Sequence, residues 1–170
     1  MMDLWTFLRD NGNGLSGVGA MLACMVAAVT LWAQRKHNKL SVRPLPEIKL
    51  RDLDTGPVVT LANHGTGPMI VCQFWVSKSN RIIGDALIDH MPSHLTDWKW
   101  FVSSINGRSI PAGGLIELLN YKADPDQEGD DVACVREFLA PLTLHVVYKD
   151  VYDSGEWFYS RSLDWFGRLT

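Results

Sequence analysis

No disulfide framework holds this chain, because three cysteines in 170 residues are too few for one, and too few for a Cys-rich zinc module. There is no excess of positive charge. Sixteen basic residues face nineteen acidic ones, a formal net charge of −3. That excludes a polycation built to neutralise phosphates, and direct nucleic-acid binding is not expected. Catalytic signatures are missing too: G-x-S-x-G, H-E-x-x-H and a P-loop all fail to occur. Charge itself is nearly absent from the start, where only Asp3, Arg9 and Asp10 are charged among the first 34 residues. Disorder is excluded, since 46% hydrophobic residues bury enough surface to offset chain entropy. The length corresponds to about one domain.

From Leu15 to Ala33 run nineteen residues without a charge, LSGVGAMLACMVAAVTLWA. As a helix this run is about 28 Å long, close to the ~30 Å hydrocarbon core of a bilayer. Trp32 stands at its C-terminal edge, where an indole prefers the interface. A cleavable signal peptide needs a basic start, a shorter apolar core and an A-x-A-type exit. Here Arg9 is outweighed by Asp3 and Asp10, and the exit is basic. A buried helix of a soluble domain is the other competing reading. The pattern points to a transmembrane helix over 15–34 and a basic juxtamembrane collar over 35–44. Arg35, Lys36, Lys39 and Arg43 would lie at the membrane surface.

Orientation follows from the basic residues. Only Arg9 precedes the run, whereas Arg35, Lys36, Lys39, Arg43, Lys49 and Arg51 follow it. Positive charge stays inside, so the N-terminus is expected outside and the C-terminal domain in the cytoplasm. Unpaired Cys24, Cys72 and Cys134 suit a reducing compartment; Cys72–Cys134 pairing is the alternative for the reversed topology. Gly19, Ala23 and Ala27 recur every four residues, as do Ser16 and Ala20. Small residues at that spacing let helix backbones approach closely in lipid, so a homo-oligomer is expected. Upstream, Leu4, Trp5 and Leu8 share a helical face before Asp10-Asn11-Gly12-Asn13-Gly14, which reads as a short interfacial segment and hinge over 1–14.

Residues 45–170 have a different texture. Short apolar runs alternate with turn residues. Leu40–Leu50 carries Pro44 and Pro46 and is confined to an edge or entry strand. Strands are expected at Val58–Asn63, Met69–Val76, Arg81–Gly84, Trp98–Ser103, Leu115–Tyr121, Leu142–Tyr148 and Glu156–Ser160. Asn106-Gly107 is a turn, Ile110 to Gly114 an irregular link, and Asp85–His90 a helical turn stopped by Pro92. Five acids, Asp124, Asp126, Glu128, Asp130 and Asp131, mark a solvated loop. Val132, Val135, Phe138 and Leu139 then recur at helical spacing up to Pro141. The expected fold is one transmembrane α-helix followed by an Ig-like β-sandwich of about seven strands, with a small β-barrel as the alternative.

Three stretches resemble a set of small bacterial single-pass membrane proteins. They are His37-Asn38-Lys39-Leu40-Ser41-Val42-Arg43-Pro44, then Leu61-Ala62-Asn63-His64-Gly65-Thr66-Gly67-Pro68, and Tyr148-Lys149-Asp150. The pattern is HN-x-LSVRP-x-L, then L-x-N-x-G-x-GPA, then Y-x-D; this chain has Met69 where Ala is usual. The resemblance spans nearly the whole chain and implies a bacterial inner-membrane location. Some similar proteins accompany antiphage systems as membrane-acting effectors. The motifs read as architecture: Gly65 and Gly67 would permit φ > 0, and Asn63 and Pro68 would frame a structural turn.

Candidates for chemistry are few. His90 and His94, with Asp89 and Asp97, have the spacing of a metal pair, but Pro92 interrupts the helix that pair would need. A polar loop is the better reading. His64-Gly65-Thr66-Gly67 has the look of an oxyanion loop but lacks the accompanying nucleophile. Cys72 and Cys134 read as core, and Asp150 as a strand-end hydrogen-bond acceptor. No catalytic residue, metal site or cofactor is assigned. The expectation is a non-enzymatic membrane protein whose cytoplasmic domain senses a protein partner or small ligand. Its helix either assembles and perturbs the bilayer, as an effector would, or merely tethers an adaptor.

Overall fold

The computed structural model describes residues 12–53, 56–96, 98–122, 130–153 and 155–169. The chain divides into two compact units, Met1–Ser41 and Val42–Thr170.

The first unit is one helix, α1 (Gly12–Ser41), thirty residues long. Its side chains from Ser16 onward are exposed, and the stretch Ser16–Ser41 is long and apolar enough to cross a membrane, with mean hydropathy 1.8. The helix runs further than the 15–34 expected, at both ends. Residues 35–41, assigned to a separate collar, continue it. No proline or glycine follows Gly19 until Pro44, and Gln, Arg, Lys and Leu are good helix formers. Gly12 to Gly14, read as a hinge, lie inside the helix as well. The interfacial segment with Leu4, Trp5 and Leu8 lies outside the described residues.

The second unit is a β-sandwich. Its strands are β1 (Pro46–Leu53), β2 (Gly56–Asn63), β3 (Met69–Lys78), β4 (Arg81–Gly84), β5 (Trp98–Phe101), β6 (Ser109–Ile110), β7 (Leu115–Tyr121), β8 (Leu142–Lys149) and β9 (Glu156–Ser162). One antiparallel sheet has the order β1-β2-β7-β5; the other has β4-β3-β8-β9, with β6 paired to the first residues of β3. Lettering the strands A to G without β6, these are the ABED and C′CFG sheets of an immunoglobulin-like sandwich. Neither β2 nor β8, the B and F positions, carries a cysteine, so the inter-sheet disulfide of antibody domains is replaced by packing alone. Two separate sheets replace the barrel alternative. The additional short strand, β6, falls at the start of the link expected to be irregular.

Alternation builds the core. In β8, Leu142, Leu144, Val146 and Tyr148 are buried while Thr143, His145, Val147 and Lys149 are only partly so. Opposite them Met69, Val71, Phe74 and Val76 of β3 point inward, and a bulge at Cys72–Gln73 resets the alternation. The Asn106-Gly107 turn docks on this bulge. Asn106 Oδ1 accepts from Phe74 N at 2.7 Å, and Gly107 N donates to Val71 O at 2.8 Å with Gly107 at φ 77°. Strand β2 is buried along its whole length, and helix α2 (Asp130–Leu139) packs against it and against a final 3₁₀ turn, Asp164–Leu169.

The outer face of the second sheet carries an aromatic stack. Trp75, His145 and Phe158 pack against one another, with ring centroids 5.1 Å apart for Trp75–His145, 5.8 Å for His145–Phe158 and 5.9 Å for Trp75–Phe158. Ser77 Oγ meets His145 Nε2 at 2.7 Å, and burial pushes the imidazole pKa below its ordinary value.

One ion pair ties the helix to the sandwich. Arg136 in α2 grips Asp52 in β1 through Nε at 3.2 and 3.1 Å and Nη2 at 3.0 Å. Only 3% of the Asp52 side chain is exposed. Removing one partner of a pair this buried leaves the other charge uncompensated. Arg136→Ala is therefore expected to lower unfolding free energy by about 3 kcal/mol, read as a shifted denaturation midpoint. A loss below about 0.5 kcal/mol would assign the pair the worth of an exposed one.

Candidate functional site

The stretches singled out by pattern converge in space. Asn63, the last residue of β2, is fully buried. Its Nδ2 donates to Gly67 O at 2.8 Å, Ile110 O at 3.1 Å and Pro111 O at 3.2 Å. Its Oδ1 accepts from Leu45 N at 3.1 Å and Gly65 N at 3.0 Å. The main chain adds Asn63 N to Gly114 O and Gly113 N to Asn63 O, both 2.9 Å. One amide thus joins the entry segment, the 64–68 loop and the 110–114 link. Buried loop backbone needs such partners, because an unmet polar group there is costly.

The glycines serve a different purpose from the one expected. Neither Gly65 nor Gly67 has positive φ. They are required by close approach instead. A Cβ on Gly67 would run into Val42 O, and one on Gly65 into Arg43 O, with Pro44 Cα 2.6 Å away. Pro68 follows as the residue before β3.

The same segments wall an open cavity of about 450 Å³, lined by Arg43, Pro44, Leu45, His64, Gly65, Thr66 and Tyr148. Tyr148 reaches it because the alternation of β8 turns its ring inward, where it is 7% exposed. Burial pushes the phenol pKa up, and the Arg43 guanidinium draws it down. Arg43, assigned to the membrane-surface collar, belongs to this domain, with its guanidinium 5.4 Å from the Trp157 ring centroid. Trp157 in turn lies 5.8 Å from Tyr148. His64 Nε2 pairs with Glu47 at 2.8 Å. Among the described residues, no carboxylate stands within ion-pair distance of Arg43.

The other singled-out residues are placed as follows. Arg35, Lys36 and Lys39 are exposed on α1, with Lys36 Nζ 5.6 Å from the Trp32 ring. Gly19, Ala23 and Ala27 lie along one bare face of α1, and nothing approaches within 4 Å of a Cβ built on Gly19. His90 ends a three-residue 3₁₀ helix, Ile88–His90, and Met91 is extended, so His90 and His94 share no helical turn. Asp97 and residues 123–129 of the acidic stretch lie outside the described residues. Among the described residues, no three His, Cys, Asp or Glu side chains converge as a metal site. Cys24, Cys72 and Cys134 form no disulfide, and Cys72 and Cys134 are only partly buried. Asp150 accepts from Tyr152 N at 2.9 Å, the strand-end role expected of it. Pattern reading missed the part of Tyr148 in the cavity and the contact of Trp157 with Arg43, although period-two alternation in β8 held the signal for Tyr148.

Asn63→Ala is expected to cost about 3–5 kcal/mol, since it strands several loop groups at once. Asn63→Asp should be no milder, because a carboxylate would face three carbonyl oxygens. Chemical denaturation measures both. If Asn63→Asp matched the parent protein, the donor side of the hub would be irrelevant.

Comparisons of the chain with protein-family models, curated proteins and solved structures find no match.

Proposed function

We propose that this chain is a single-span, non-enzymatic protein of the bacterial inner membrane, with a cytoplasmic sandwich that recognises a protein partner or small ligand. The anchor self-associates along Gly19, Ala23 and Ala27, and assembly perturbs the bilayer in the manner of an antiphage effector. The carrying observation is α1 itself: a thirty-residue helix, exposed from Ser16 onward, attached to a domain with its own closed core. A soluble protein would leave that apolar surface in water, at about 25 cal/mol for each Å². Cysteines that form no disulfide and the six-to-one excess of basic residues after the run support a cytoplasmic C-terminus. The Gly19–Ala23–Ala27 face supports assembly, because small residues allow the backbone contact that lipid-facing helices gain from.

A reporter active only in the periplasm, fused after Thr170, is expected to be silent in bacteria; strong activity would reverse the orientation.

Gly19→Ile and Ala23→Ile should hold neighbouring helices apart and weaken crosslinking in membranes, together with any dye entry on overexpression. Met21→Ile and Val29→Ile, off that face, should leave both unchanged. Equal crosslinking in all four variants would make the anchor a plain tether and the protein an adaptor.

A further inference from the structure

The cavity beside Arg43 is unexplained by membrane anchoring. It is formed by residues from three distant stretches, Arg43 to Leu45, His64 to Thr66 and Tyr148. The Asn63 amide fastens the first two of these before any ligand arrives, through Leu45 N and Gly65 N. A cavity of about 450 Å³ lies within the range that holds small ligands. Its wall chemistry is one-sided. Arg43 brings a permanent positive charge with no carboxylate within ion-pair distance among the described residues, and Glu47 is engaged by His64. Trp157 underlies the Arg43 guanidinium, which restricts the side chain at the rim. The Tyr148 phenol, whose ionisation burial opposes, offers a hydroxyl that can donate a hydrogen bond. Pro44 and Leu45 supply an apolar flank. A restricted guanidinium and a hydroxyl donor on separate walls suit a phosphate, whose several oxygens point in different directions.

We propose that this cavity binds a phosphate group, with Arg43 as its charge partner and Tyr148 as a hydroxyl donor. This deepens the reading of the domain as a recognition module. The phosphate has two possible sources of the same chemistry, a soluble phosphoester or a phospholipid headgroup, the latter because Arg43 follows the last residue of α1 by two positions.

The test uses the full chain in dodecyl maltoside, a detergent without phosphate. Inorganic phosphate, glycerol 3-phosphate and, separately, lyso-phosphatidylglycerol are titrated by calorimetry and by thermal unfolding, with acetate at matched ionic strength as the planar control. Saturable binding and a raised unfolding midpoint are expected with phosphates and not with acetate. Binding of glycerol 3-phosphate identifies a soluble source; binding of lyso-phosphatidylglycerol alone identifies a headgroup. Arg43→Gln should weaken binding by about tenfold or more, as loss of a charge-assisted hydrogen bond does. Tyr148→Phe, which keeps the buried ring and removes only the hydroxyl, should weaken it several-fold. Lys78→Gln, which removes the same charge from an exposed strand end, should change nothing. Absence of binding by all three phosphates, equal binding of acetate, or undiminished binding by Tyr148→Phe and Arg43→Gln would overturn the proposal. Crosslinking of the anchor is read without any ligand, so failure here leaves the assembly reading standing, and failure of assembly leaves this one.

Discussion

Loop backbone cannot be buried without partners, and in this domain one side chain supplies most of them at the end where the chain enters. The Asn63 amide meets five loop groups: its two N–H reach three carbonyl oxygens, one N–H being shared, and its oxygen accepts from two backbone N–H. Ser and Thr have too few polar atoms for this, and Asp and Glu lack the donors. The two glycines that follow exist so that the Val42–Leu45 backbone can lie against the loop. The cavity is the space left over by that arrangement. Its walls therefore inherit the stiffness of the hub, and a stiff site loses less entropy when it binds.

Much of the fold was legible in the residues. LTLHVVY in β8 alternates as a half-buried strand must, and MIVCQFWV in β3 is β-branched and aromatic. The uncharged run before Arg35 marked α1, but its end did not show. Basic residues suggest an interface without breaking a helix, and the first true breaker is Pro44. Strand β6 was invisible because two residues carry no periodicity, and its pairing with β3 is a long-range choice. The candidate site was half legible. Asn63, Gly65, Gly67 and Pro68 stood out as loop chemistry, yet the partners of Asn63 at Ile110 and Pro111 lie 47 and 48 positions away. Arg43 read as membrane collar because it closely follows Arg35, Lys36 and Lys39; only the folded chain sets it over Trp157.

The strand order shows how little of an immunoglobulin-like sandwich depends on its disulfide. Here β2 and β8 contribute Val59, Leu61, Leu144 and Val146, all fully buried, to one apolar core. Apolar contact of this kind is indifferent to redox state, and a domain so built keeps its stability where thiols stay reduced. The outer face of the same sheet is where Trp75, His145 and Phe158 stack, so aromatic surface is spent on both sides of β3 and β8.

The Asp52–Arg136 pair has a consequence for the order of events during synthesis. Its partners are 84 positions apart. At about 5–20 residues per second, Asp52 emerges roughly 4 to 17 seconds before the helix that will neutralise it. Through that interval β1 has β2 to pair with but no α2 to seal it, and its carboxylate stays in water. A hairpin that carries a hydrated charge on its edge strand is a poor template for pairing with other nascent chains, as edge-strand charges are in finished proteins. The side chain that later locks the helix in place would thus first protect the unfinished sheet from its neighbours on the ribosome.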